Sequence, residues 1–127
     1  MPQKDQFSIF QEKGGREMRT ILVVDDEEEI REILKQFFTD LDFNVVVCEN
    51  GARAVPRIEE ADILVTDFNM PPGINGGELA EIAKQQKPGI RVIIMTGISW
   101  DVPSDHLADV VIEKPFNLEA LERAVKG

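Results

Sequence analysis

Five polar side chains close or follow short apolar runs. Asp25 and Asp26 come after 21–24, Asp67 after 63–66, Thr96 after 92–95, and Lys114 just beyond 110–112. Carboxylates drawn together from separate segments repel one another unless a cation lies between them. Oxygen-only donors suit a hard cation such as Mg²⁺, which takes one or two carboxylates and keeps several waters. With the cation in place, such a cluster becomes a phosphate site. The lysine ammonium neutralises phosphoryl charge, and the threonine hydroxyl donates to a phosphoryl oxygen. A central carboxylate can then act as nucleophile and form an aspartyl phosphate. Asp67 suits that role, and Asp25 with Asp26 suit the metal. Each residue alone has a plainer reading. An Asp after a strand is often a helix N-cap, Thr96 before Gly97 is also an ordinary turn residue, and Lys114 before Pro115 also a solvated loop lysine. The conjunction at four strand ends favours the site.

The runs 21–24, 45–48, 63–66, 92–95 and 110–112 are rich in β-branched residues and mostly apolar without alternation. Strands buried on both faces of a parallel sheet have this pattern. Between the first two, Ile30, Ile33, Leu34, Phe37, Phe38 and Leu41 form one apolar helical stripe. A third helix is expected over about 77–87, with Leu79, Ile82 and Ala83 on one face and Pro88-Gly89 ending it. The last helix opens after Pro115 with Asn117 as N-cap and carries Leu118, Leu121, Ala124 and Val125 inward. The second, 52–60, contains Pro56, which predicts a kink or a late start. Between Ser99 and Ala108, Pro103 and weak periodicity predict a single turn or a loop. The expected architecture is therefore α/β: a five-stranded parallel sheet of order 2-1-3-4-5, helices on both faces joined by right-handed crossovers, and a fourth helix short or missing. That order gathers the five polar residues at the carboxyl edge, where open α/β sheets bind ligands, with Asp67 on the middle strand.

The 127 residues fit one domain large enough to fold on an ordinary core. A net charge of −10 argues against the chain binding nucleic acid by itself. No apolar run approaches the roughly 20 residues of a membrane span, and residues 1–17 lack the apolar stretch of a secretory signal. The lone Cys48 cannot form an internal disulfide, so a reducing cytoplasm is the expected location. Residues 1–17, with Gly14-Gly15 as a linker, are expected to be an N-terminal extension to a domain spanning 18–127. Nothing follows the last helix, so output is expected through another protein, through phosphoryl relay, or through a longer parent chain.

In this order, ILVVDDEEEIR, LVTDFNMP, VIIMTG and VIEKPF resemble the receiver domains of two-component response regulators, over roughly Arg19 to the C-terminus. The resemblance implies the flavodoxin-like five-stranded fold, Asp67 as phosphoacceptor, Asp26 as a direct Mg²⁺ ligand and Asp25 assisting through water. It also implies the backbone carbonyl of Asn69 as a metal ligand, Thr96 as the switch hydroxyl, and Lys114 contacting the phosphoryl group beside a cis Lys114–Pro115 bond. The implied donor is a phosphohistidine on a sensor histidine kinase or phosphotransfer protein.

Four features depart from the family pattern. Val111 stands where many receivers carry an aromatic that moves with the threonine, and the chain has no Tyr. The interval from Thr96 to Lys114 is short by roughly one helical turn, so partner and oligomer rules for the face built on the fourth helix do not carry over. The loop after Met70-Pro71 is one residue longer, and Pro56 disturbs the second helix away from the chemistry. Trp100 suits a partner anchor or a plug over the shortened region, His106 a surface residue, and Cys48 a small buried hydrophobe. The leading function is a phosphoryl-accepting switch; the alternative is a receiver-like adaptor that does not switch by phosphorylation. A phosphatase using an aspartyl phosphate is disfavoured, because Asn69 stands where its general acid belongs. A flavin protein is disfavoured by the acidic run Asp25–Glu29 in place of a phosphate loop.

Overall fold

The computed structural model describes residues 12–13, 16–97 and 101–127. The expectation for Trp100 lies outside the described residues, as does most of the 1–17 extension. Glu12–Lys13 and Arg16–Glu17 pair as antiparallel strands.

The domain proper runs β1 (Thr20–Val24), α1 (Glu28–Asp40), β2 (Asn44–Cys48), α2 (Gly51–Ala54), a 3₁₀ segment (Val55–Glu60), β3 (Ile63–Asp67), α3 (Gly76–Gln86), β4 (Arg91–Thr96), β5 (Val110–Glu113) and α4 (Leu118–Lys126). The five strands form one parallel sheet in the order β2-β1-β3-β4-β5, as the sequence predicts. The three inner strands are almost wholly buried and the two edge strands only partly so, which is why all five read as apolar runs.

Strand periodicity sorts the core into two layers. Leu22, Val24, Leu64, Val92 and Ile94 face α2, the 3₁₀ segment and α3, meeting Ala54, Ile58, Leu79, Ala80 and Ala83. Ile21, Val23, Ile63, Val65, Ile93 and Met95 face α1 and α4, meeting Leu34, Phe38, Leu121 and Val125. Two stripe residues point elsewhere: Ile33 is 49% exposed and Leu118 39%. Each sits at the flank of its helix stripe, where the sheet is too narrow to cover it.

Pro56 disturbs the second helix as expected, though as a change of helix type and not as a late start. The helix begins early, at Gly51, capped by Asn50 Oδ1 accepting from Arg53 N, and tightens into the 3₁₀ segment with Pro56 in its first turn. Pro56 has no N–H to donate to the Ala52 carbonyl, so the α-helical pattern stops just before it and the chain continues as 3₁₀. Among the described residues 101–109 no α-helix forms. Val102 fills the core there, and Asp109 anchors the segment by accepting from Val92 N at 2.8 Å and Lys84 Nζ at 2.9 Å. His106 is half-buried, and its Nδ1 accepts from Ala108 N.

Candidate functional site

All five parallel strands end at one edge, and the expected site residues meet there. Asp25 follows β1 and is fully buried, its N–H donating to the Cys48 carbonyl at the end of β2. Asp67 is the last residue of β3, Thr96 the last of β4, and both are buried. Lys114 follows β5, its N–H donating to the Thr96 carbonyl at 2.7 Å, and the Lys114–Pro115 bond is cis as the resemblance implies.

Lys114 Nζ lies 3.2 Å from Asp67 Oδ1, 3.3 Å from Asp25 Oδ2 and 3.9 Å from Glu27 Oε1. Asp25 is no helix cap: α1 has Glu27 as its N-cap residue with no side-chain bond, and Asp25 Oδ1 accepts from Glu27 N at 2.9 Å. Burial pushes the Asp67 carboxyl up to about 6 against the pull of Lys114, and pushes Asp25 up as well. Burial works against the Lys114 ammonium too, but the charges of Asp25 and Asp67 outweigh it and hold its pKa above the ordinary lysine value. One cation thus serves two buried carboxylates, with the exposed Asp26 and Glu27 alongside.

That surplus of negative charge is what a cation would relieve. Asp25, Asp26 and Glu27 bring carboxylate oxygens within 4.8 Å of one another, and an all-oxygen donor set fits Mg²⁺. Asn69, two residues past Asp67, is exposed.

Three contributors escape sequence reasoning. Glu27 joins the acidic cluster, its only sequence signal being its place in the acidic run after β1. Arg31 Nη1 donates to the Asp25 carbonyl at 2.8 Å, fixing that turn from α1. Gly76 opens α3 so close to β3 that a Cβ there would lie 2.5 Å from the Asp67 carbonyl oxygen. The lengthened loop ends in a capping box, Asn75 Oδ1 accepting from Glu78 N while Glu78 Oε1 accepts from Asn75 N, each at 2.9 Å. The N-x-x-E spacing is its sequence signal.

Residues 21–126 match the family model described as the response regulator receiver domain. The chain is 35% identical over 121 residues to chemotaxis protein CheY of Listeria monocytogenes, covering 86% of this chain and all of that protein. It is 34% identical over 106 residues to a cyclic di-GMP phosphodiesterase of Thermotoga maritima, which covers 80% of this chain but only 28% of that protein. Among solved structures, response regulator TrrA of Thermotoga maritima in complex with Mg²⁺ and BeF superposes with a TM-score of 0.77 at 36% identity, over 86% of this chain and 97% of that one.

Proposed function

As this chain belongs to the response regulator receiver family, we propose that it is a phosphoryl-accepting signalling switch whose acceptor is Asp67. The donor is a phosphohistidine on a sensor histidine kinase or phosphotransfer protein, and output runs through a downstream protein in the cytoplasm. The observation that carries this reading is the Lys114 ammonium seated between Asp67 and Asp25 at the carboxyl edge of the sheet.

In the transfer, a carboxylate oxygen of Asp67 attacks phosphorus while the P–N bond to the donor imidazole breaks. The imidazole leaves with the electron pair and takes up a proton. Lys114 neutralises charge on the phosphoryl oxygens, and the Thr96 hydroxyl donates to one of them. Mg²⁺, when bound, supplies further neutralisation of phosphoryl charge; Asp25, Asp26, Asp67 and the Asn69 backbone carbonyl would hold it. Arg31 and Gly76 position the backbone of Asp25 and Asp67. The domain, taken as 18–127 with residues 1–17 as an extension, catalyses at most its own phosphorylation and dephosphorylation.

Val111 supports a second reading. It is partly buried and packs against the core layer beneath α2 and α3, so no aromatic at that position couples to Thr96. The protein would then be an adaptor whose shape does not follow its phosphorylation.

The test is intact mass after incubation with acetyl phosphate, with and without Mg²⁺, with Asp67→Asn as control. One phosphoryl adduct requiring both Mg²⁺ and Asp67 supports the switch; an adduct of equal yield on Asp67→Asn refutes the assignment. An adduct without change in backbone amide NMR shifts beyond the site favours the adaptor.

A further inference from the structure

Behind the acceptor site lies a groove that the proposed switch chemistry does not use. It has a volume of about 570 Å³ and is lined by Arg31, Val47, Cys48, Ala52, Arg53 and Arg57, with Pro56 and Glu49 completing the wall. Three of the chain's seven arginines thus gather at one concavity of a protein with net charge −10. Positive charge this concentrated on an acidic chain opposes the overall field and selects for an anion locally.

The arginines come from two helical elements. Arg31 stands on α1, Arg53 on α2, and Arg57 four residues later in the 3₁₀ segment, with Val47 and Cys48 from the end of β2 forming the floor. Each arginine already has a partner: Glu49, itself in the wall, for Arg53, Glu60 for Arg57, and the Asp25 carbonyl for Arg31. Arg53 lies 3.9 Å from Glu49, both groups largely exposed. Arg57 donates twice to Glu60, Nε to Oε2 at 2.7 Å and Nη2 to Oε1 at 3.0 Å, again in the open. Exposed pairs contribute little in general, and a phosphate that offers the same forked geometry would have to displace Glu49 from Arg53 and the two-bond Glu60 from Arg57. A guanidinium fork matches phosphate oxygens bidentately. Val47, Ala52 and Pro56 add an apolar strip suited to a flat, uncharged group. The volume falls within the range of small-molecule sites.

We propose that this groove binds a nucleotide, its phosphate held by Arg53 and Arg57 with Arg31 at the inner end and its base laid on the Val47–Ala52–Pro56 strip. The site is separate from the acidic cluster, yet Arg31 touches both, because its guanidinium also donates to the Asp25 carbonyl at 2.8 Å. A nucleotide here would therefore sit one residue from the metal-binding carboxylates without needing them.

The experiment is calorimetric titration of the full chain with GMP and, separately, with inorganic phosphate. EDTA is present so that no metal draws phosphate to the acidic edge. GMP binding that weakens about tenfold or more in Arg53→Ala/Arg57→Ala, and more than twofold in Arg53→Lys, supports the site. Both arginines are exposed on their elements, and circular dichroism checks that the variants stay folded. GMP binding unchanged in the double variant, no GMP binding up to millimolar concentration, or inorganic phosphate binding as tightly as GMP would each overturn the proposal. Asp67→Asn, run in parallel, should bind GMP as the wild type does, so loss of the switch reading leaves this test intact.

Discussion

Asp67 is only 7% exposed, and burial lifts its carboxyl from 3.8 to about 6 despite Lys114 at 3.2 Å. A carboxyl whose folded pKa exceeds its unfolded value destabilises the fold wherever the folded group is ionised. The penalty is complete above the folded pKa and vanishes below the unfolded one. A gap of roughly 2 units corresponds to about 3 kcal/mol at about pH 8, falling to about half of that near pH 5. Asp67→Asn removes the charge at constant size, while Lys114 keeps Asp25 at 3.3 Å as a partner. The variant should therefore be more stable by about 1–3 kcal/mol near pH 8 in EDTA, part of the gain being spent on the lost Lys114 contact. Urea unfolding at both pH values measures this through the midpoint at constant slope. An Asn variant less stable than wild type near pH 8, or a gain that does not shrink as pH falls, would refute the reasoning.

Other outcomes follow from the same geometry. Lys114→Ala leaves two buried carboxylates without their shared cation, so stability should fall by about 2–4 kcal/mol near pH 8. Mg²⁺ affinity by calorimetry should be largely retained; its collapse would contradict the division of roles. Gly76→Ala places a Cβ 2.5 Å from the Asp67 carbonyl oxygen and should cost about 1–3 kcal/mol in urea unfolding, with unchanged stability as the contrary result. Asn75→Ala removes the α3 capping box and should cost about 1 kcal/mol, while Asn75→Asp should restore most of it.

The sheet was legible because its strands are short, β-branched and apolar throughout, and burial of the inner three on both faces is what produces that pattern. The site was legible for a related reason. Asp25, Asp67, Thr96 and Lys114 each stand at a strand end, and parallel topology leaves a single edge for them to share. Side chains whose role depends on what lies across a gap were not legible. Arg31 looks like any polar helix residue until α1 packs down and brings it to the Asp25 carbonyl. Gly76 looks like a loop glycine until α3 is laid against β3. Ile33 and Leu118 fit their helical stripes, but the sheet beneath them does not extend far enough to bury them. Pro56 was legible as a disturbance, but not its form: the segment keeps helical dihedrals and tightens to 3₁₀ where the proline has no N–H to give.

Chemical trapping addresses the central claim most directly. After treatment with acetyl phosphate and Mg²⁺, borohydride reduces an aspartyl phosphate to homoserine, and peptide mass mapping locates the altered residue. The account predicts homoserine at position 67, absent when Mg²⁺ is withheld. Homoserine at Asp25 or Asp26 in its place, or conversion at position 67 that does not depend on Mg²⁺, would contradict it.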